Sequence, residues 1–196
     1  MKLKNRFRRR LIEGGIGLAI ATWGGFSPSA QAIQLADGTV YFAQVPRLIK
    51  ATTTFNDVRF WGATYYFTLS IPEDAGEPLQ QVTFVQKEGL DKIDFNLKQT
   101  RAYENGKRDH PIALGKVSAT QGRVISVTFE PPVPPGKTVT IALRPFYNPD
   151  FSGVYLFGVT AFPQGEKAHG QFLGYGRLQF YDKFNHGFFP FHPWWR

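Results

Sequence analysis

The chain has 196 residues, 42% hydrophobic and 16% aromatic, with only 19% charged, a formal net charge of +8 and no cysteine. That composition excludes a disordered chain and a helical bundle, and the absence of Cys excludes disulfides, thiolate nucleophiles and Cys-ligated metal. The length suits one domain with short appendages.

Residues 1–10 hold Lys2, Lys4, Arg6, Arg8, Arg9 and Arg10 and no acid. A modestly apolar, Gly-interrupted stretch from Ile16 to Phe26 follows, then Ser27-Pro28-Ser29-Ala30-Gln31-Ala32. A basic region, a short apolar region and small residues at Ala30 and Ala32 make a cleavable signal peptide, 1–32, cut after Ala32. The apolar run is short of the roughly 20 residues of a permanent span; an uncut anchor is the competing reading. Arg8-Arg9-Arg10-Leu11-Ile12 also fits a twin-arginine core, so the general secretory and twin-arginine routes both stay open. Cleavage removes six of 23 basic and one of 15 acidic residues, leaving 17 and 14, net +3. The remaining basic residues are scattered among acids, which disfavours a nucleic-acid partner.

The remainder reads as strands and turns. Segment 39–45 is a weak strand. Segment 64–71 alternates Tyr65, Phe67, Leu69 and Ile71 against polar neighbours and stops at Pro72. The loop after it carries Glu73, Asp74 and Glu77, which suit either a hard cation or a solvated acidic turn. Segment 82–85 is a second weak strand. Segment 92–98 alternates Ile93, Phe95 and Leu97 and reads as a strand; Glu88, Asp91 and Asp94 form another acidic run. Asn105-Gly106 predicts a tight reversal. Segments 123–129 and 138–144 alternate, and Pro131–Gly136 joins them as a stiff extended loop. Segment 154–162 is apolar on both faces and reads as a central strand covered on both sides. Gly174-x-Gly176 marks close packing or a bulge before the strand 177–181. Short helical turns near 45–51 or 55–61 have no periodic support. The strands predict an all-β domain over 33–181: an antiparallel, immunoglobulin-like β-sandwich stabilised by aromatic burial.

Several blocks carry a resemblance. They are Tyr66–Leu79, Thr100–Tyr103, Phe129–Gly136, Arg144–Pro149, Ser152–Pro163 and Gly174–Arg177. Together they resemble a family of uncharacterised exported cyanobacterial proteins, a domain of unknown function, over roughly residues 36–181. The resemblance implies the periplasm or cell envelope, or the thylakoid lumen, and brings no catalytic residues.

Motifs for chemistry are sparse. No serine sits in Gly-x-Ser-x-Gly, and no His-Glu-x-x-His or phosphate-binding Gly loop occurs. The expectation is a non-catalytic module with no cofactor, binding an envelope protein or glycan through exposed aromatics such as Tyr66, Tyr155 and the tail. A hydrolase of envelope polymers using His110 or a carboxylate pair, and a purely structural envelope protein, are the alternatives. The tail 182–196 is the most unusual segment: Phe184, Phe188, Phe189, Phe191, Trp194 and Trp195 fall within fifteen residues. Three readings compete for it. It folds back over an open sheet face or edge, docks on a membrane interface or envelope protein, or offers His186 and His192 to a metal. Pro190 and Pro193 exclude a regular helix there.

Overall fold

The computed structural model describes residues 33–35, 37–120 and 124–183. The signal segment with Ala30 and Ala32, and the tail residues Phe184 to Arg196, lie outside the described residues. The strands are β1 (Ile33–Gln34), β2 (Thr39–Tyr41), β3 (Arg47–Thr53), β4 (Tyr65–Ser70), β5 (Leu79–Glu88), β6 (Arg101–Glu104), β7 (Pro111–Ile112), β8 (Leu114–Thr120), β9 (Val124–Val133), β10 (Thr138–Leu143), β11 (Gly153–Pro163), β12 (Lys167–Ala168) and β13 (Gln171–Phe180). A 3-10 turn, Leu97–Gln99, lies between β5 and β6.

Two five-stranded sheets, ordered β3-β4-β10-β6-β7 and β13-β11-β5-β9-β8, face one another. Their pairings are antiparallel throughout. The chain changes sheets at the β4–β5, β5–β6, β7–β8, β9–β10 and β10–β11 connections. This is the immunoglobulin-like antiparallel β-sandwich that the alternating segments predict. A small third sheet, β1-β2-β12, joins the early chain to the β11–β13 hairpin through a parallel pairing of Lys167 with Thr39.

Rings fill the gap between the layers. In β4 the inward positions Tyr65, Phe67 and Leu69 are fully buried while their neighbours are half-buried, as period-2 geometry requires. Phe67 meets Phe84 of the opposite sheet at 4.7 Å and Phe157 at 5.8 Å, and Tyr65 meets Phe180 at 5.6 Å. Each buried ring contributes roughly 1.5–3 kcal/mol relative to exposure, so ring burial does the stabilising that a disulfide does in other sandwiches. Gly176 lets the two sheets approach: a Cβ there would lie 2.5 Å from Cε1 of Phe67 and 3.0 Å from Cβ of Ala51. The close packing expected at Gly174-x-Gly176 is thus found at Gly176, and the bulge lies beside Gly174, where the β11–β13 register shifts. These glycines fall inside β13, not ahead of it.

Some local expectations change. Segment 92–98 is no strand: Ile93, Phe95 and Leu97 fill the end of the core from an irregular connection. The Gln86 side chain holds that connection in place, donating to the carbonyl of Asp91 at 2.7 Å and accepting from the Ile93 N–H at 3.0 Å. β11 is an interior strand between β13 and β5, but only the face with Tyr155, Phe157, Val159 and Ala161 is covered. Tyr155, expected on the surface, is fully buried. Residues 131–133 of the Pro-rich stretch belong to β9, and the reversal occupies 134–137. Asn105 and Gly106 make the expected reversal after β6, with φ of 52° and 69°. β3 and β8 form in stretches where no strand is predicted.

Candidate functional site at the aromatic pole

Strand register brings several connections to one pole of the sandwich. Leu143 pairs with Tyr65, Leu156 with Glu88, Gly153 with Phe180 and Ala142 with Arg101. Loops 54–64, 89–100 and 144–152, together with the chain leaving β13, therefore meet at that pole. Seven of the twelve large apolar side chains left exposed among the described residues lie there: Phe55, Trp61, Leu90, Phe146, Tyr147, Phe151 and Tyr181. Trp61 is 75% exposed and Leu90 77%. Isolated apolar residues on a surface need no explanation, but a cluster does. At roughly half exposure, seven such side chains forgo about 5–10 kcal/mol of burial, as much as a domain's whole net stability.

The loops bearing them are tied down from below. Asn148 is completely buried. Its Oδ1 accepts from the Tyr65 hydroxyl at 2.9 Å, and its Nδ2 donates to the carbonyls of Phe55 at 3.0 Å and Asp57 at 2.8 Å. One side chain thus joins loop 144–152 to loop 54–64. Asp91 joins two more segments: one oxygen accepts from the Tyr155 hydroxyl and the other from the Asp150 N–H at 2.7 Å. Burial pushes the Tyr65 hydroxyl far above its ordinary value, helped by its neighbours Tyr155 and Asp91. Burial, then the Asp91 carboxylate, does the same to Tyr155. Both tyrosines stay protonated donors, so these fastenings persist across ordinary pH. Gly89, at φ +136°, runs over the Tyr155 ring; a Cβ there would meet Cδ1 of Tyr155 at 2.2 Å.

The charges at the pole are matched. Lys183 lies 2.7 Å from Asp57, Lys92 2.8 Å from Asp94, and Arg59 3.5 Å from Asp182. These exposed pairs contribute little to stability. They do leave the surface without a strong field of either sign.

Two cavities flank the 91–97 connection and share Ile93, Phe95 and Ile125 as walls. One, of about 280 Å³, opens beside Gln86, Leu90 and Asp91. The other, of about 320 Å³, lies under Phe146 and Tyr147 and is otherwise lined by Leu97, Ala119 and Asp94. The second is a mostly apolar groove rimmed by aromatics. Trp61 extends the rim, its ring 6.1 Å from that of Tyr147. Such a surface can bury an apolar side chain of a partner.

The residues singled out from sequence lie elsewhere. Glu73, Asp74 and Glu77 sit in the β4–β5 loop at the opposite pole, where Ala75 is buried and Glu73 and Asp74 are exposed. Among the described residues no three His, Asp or Glu side chains gather to hold a metal ion. His110 is exposed next to Asp109 in the β6–β7 turn, away from both cavities. His169 stacks on Tyr41 at 4.5 Å. Tyr66 faces outward, with Arg108 donating to its hydroxyl at 2.7 Å. Phe188, Phe189, Phe191, Trp194 and Trp195 are outside the described residues. The aromatic pole itself was missed. Its signal is present in the sequence, as bulky rings in stretches that turn residues break up: Trp61-Gly62, Pro145-Phe146-Tyr147 and Pro149-Asp150-Phe151. Among the described residues no helix is long and apolar enough to cross a membrane.

Comparison with known proteins places the chain by family. No curated protein matches it. Among solved structures, it is similar to a structure of manganese lipoxygenase of Gaeumannomyces graminis together with part of zonadhesin of Komagataella pastoris. The identity is 6% over 65% of this chain and 48% of that one, with a TM-score of 0.39, so the match spans about half of that chain. It is also similar to the collagen-binding domain of a Staphylococcus aureus adhesin, at 9% identity over 68% of this chain and 98% of that domain, TM-score 0.37. A third is BslA, a bacterial hydrophobin, at 12% identity over 68% of this chain and 100% of that one, TM-score 0.38. Residues 39–180 match the family described as Protein of unknown function (DUF2808), and the chain belongs to that family.

Proposed function

We propose that this chain is an exported, non-catalytic module of the cell envelope that holds a protein partner on its aromatic pole. The carrying observation is a cluster of seven exposed apolar side chains at a pole whose connections are tied to one another through the Asn148 amide and the Asp91 carboxylate. Rigid aromatics lose little entropy on binding, and they form the anchors of protein interfaces. A protein suits the pole better than a glycan: the groove under Phe146 and Tyr147 is walled by aliphatic and aromatic carbon, with Asp94 as its acidic member. Export rests on the basic, apolar and small-residue pattern of residues 1–32. The periplasm or a thylakoid lumen then supplies the partner.

The test is capture from envelope extract on immobilised chain. A partner retained by the wild type and by Phe172→Asp, a change on the outer face of β13, but lost with Trp61→Asp and Phe146→Asp, supports the reading. Equal retention by all four overturns it.

A further inference from the structure

We infer that the groove at the aromatic pole is a site for an aromatic, proline-containing peptide, and that its resident occupant is this chain's own segment 184–196. The inference rests on the reading of that pole as a binding surface and adds its regulation: the segment competes with the partner.

Three observations converge. The first is where the chain leaves the sandwich. Tyr181 donates its N–H to the carbonyl of Asn56 at 2.8 Å and accepts from the Val58 N–H at 3.0 Å, and Lys183 pairs with Asp57. Lys183, the last described residue, therefore lies on the pole itself, against loop 54–64. The second is length. Thirteen residues follow Lys183; at about 3.3 Å each they reach some 43 Å. A five-stranded sheet is only about 24 Å wide at about 4.8 Å per strand. The third is chemistry. The segment carries Phe184, Phe188, Phe189, Phe191, Trp194 and Trp195 and no acid. The pole offers an apolar groove with Phe146, Tyr147 and Trp61 at its rim. Pro190 and Pro193 fix two φ angles in advance and reduce the entropy lost on docking.

Tethering makes a weak contact sufficient. An effective concentration of about 1 mM against an affinity of about 0.1 mM holds the groove occupied about ten to one. Any competing partner is then weakened about tenfold.

Two measurements test this. In the purified full chain with Trp23→Phe and Trp61→Phe, the remaining indoles are Trp194 and Trp195. Their emission should be blue-shifted and protected from acrylamide, and Phe146→Asp should abolish both effects. Separately, a synthetic peptide of residues 184–196 should bind a chain ended at Lys183 about tenfold more tightly than it binds the full chain. If the shortened chain fails to fold, the fluorescence measurement still decides. Indoles as accessible in the full chain as in the free peptide overturn the inference. So does protection that appears only with concentration-dependent dimerisation, which assigns the segment to a second copy. So does protection that appears only with phosphatidylglycerol vesicles, which assigns it to a lipid surface. Loss of partner capture with Phe146→Asp while the tail indoles stay exposed sinks the occupant and spares the binding surface; capture indifferent to Phe146→Asp sinks the surface.

Discussion

Replacing Asn148 by Ala should be among the most damaging single changes outside the aromatic core. The amide makes three hydrogen bonds from a fully buried position. Each such bond is worth about 1 kcal/mol net, and a buried partner left unpaired costs about 1–3 kcal/mol. Tyr65 is fully buried, so its hydroxyl loses its acceptor with no water to replace it. The carbonyls of Phe55 and Asp57 lie nearer the surface and recover part of their loss. The sum is about 3–5 kcal/mol, or a fall in Tm on the order of 10 °C for a domain of this size. Urea denaturation of wild type, Asn148→Ala, Tyr65→Phe and the double variant measures it. Tyr65→Phe removes one of the three bonds and should cost less, about 1–2 kcal/mol. The double variant should cost less than the two single changes added, because they share that bond. Asn148→Asp keeps the acceptor for Tyr65 but turns an oxygen toward two carbonyls, and should be at least as damaging as Ala. A cost below about 1 kcal/mol for Asn148→Ala would refute the idea that this amide fastens the pole.

Four further outcomes follow. The share of stability carried by the Tyr65 and Tyr155 hydroxyls should hold below about pH 10 and be lost above it: the unfolded chain releases their protons near 10, and the fold keeps them. The Tyr65 share is about 1.4 kcal/mol per pH unit, and Tyr65→Phe should flatten the alkaline limb of a pH–denaturation series by that share. Gly89→Ala should cost about 3 kcal/mol or more by thermal unfolding, since it drives a methyl into the Tyr155 ring at a φ of +136°. Gly176→Val should destabilise comparably by pressing on Phe67 where the two sheets meet; calorimetry showing an unchanged Tm would contradict the close approach described there. Trp61→Asp should leave stability within about 0.5 kcal/mol while removing partner capture, because its ring is mostly in water.

The legible strands were those whose apolar and polar residues take opposite faces, even where, as at Thr140 and Ala142 of β10, the outer face is buried as well. Tyr65–Ile71 and Thr138–Leu143 alternate because each inward side chain meets the opposite sheet. The edge strands β3 and β8 escaped notice because no residue of either is fully buried and neither sequence alternates. Segment 92–98 misled for the reverse reason. Ile93, Phe95 and Leu97 lean into the core from a connection shaped by the Gln86 side chain, so alternation arose without a ladder. Tyr155 was misplaced because an apolar run on both faces does not say which face is inner. The pole depends on loops 54–64, 89–100 and 144–152 meeting through strand register, which no local pattern encodes. The acidic loop stood out by composition alone; Glu73 and Asp74 are exposed there and Glu77 is half-buried.

The parallel pairing of β2 with β12 ties the early chain to the hairpin that precedes β13. The polypeptide thus comes in beside one tip of the sandwich and departs from the other. The ten residues of β13 separate those tips by about 33 Å at about 3.3 Å per residue. A grip on β1 and β2 would therefore carry the molecule as a spacer, with the loops that bear Trp61 and Phe146 at the far tip. Tension between the two tips would load the β2–β12 ladder in shear, with its bonds sharing the strain instead of parting one at a time.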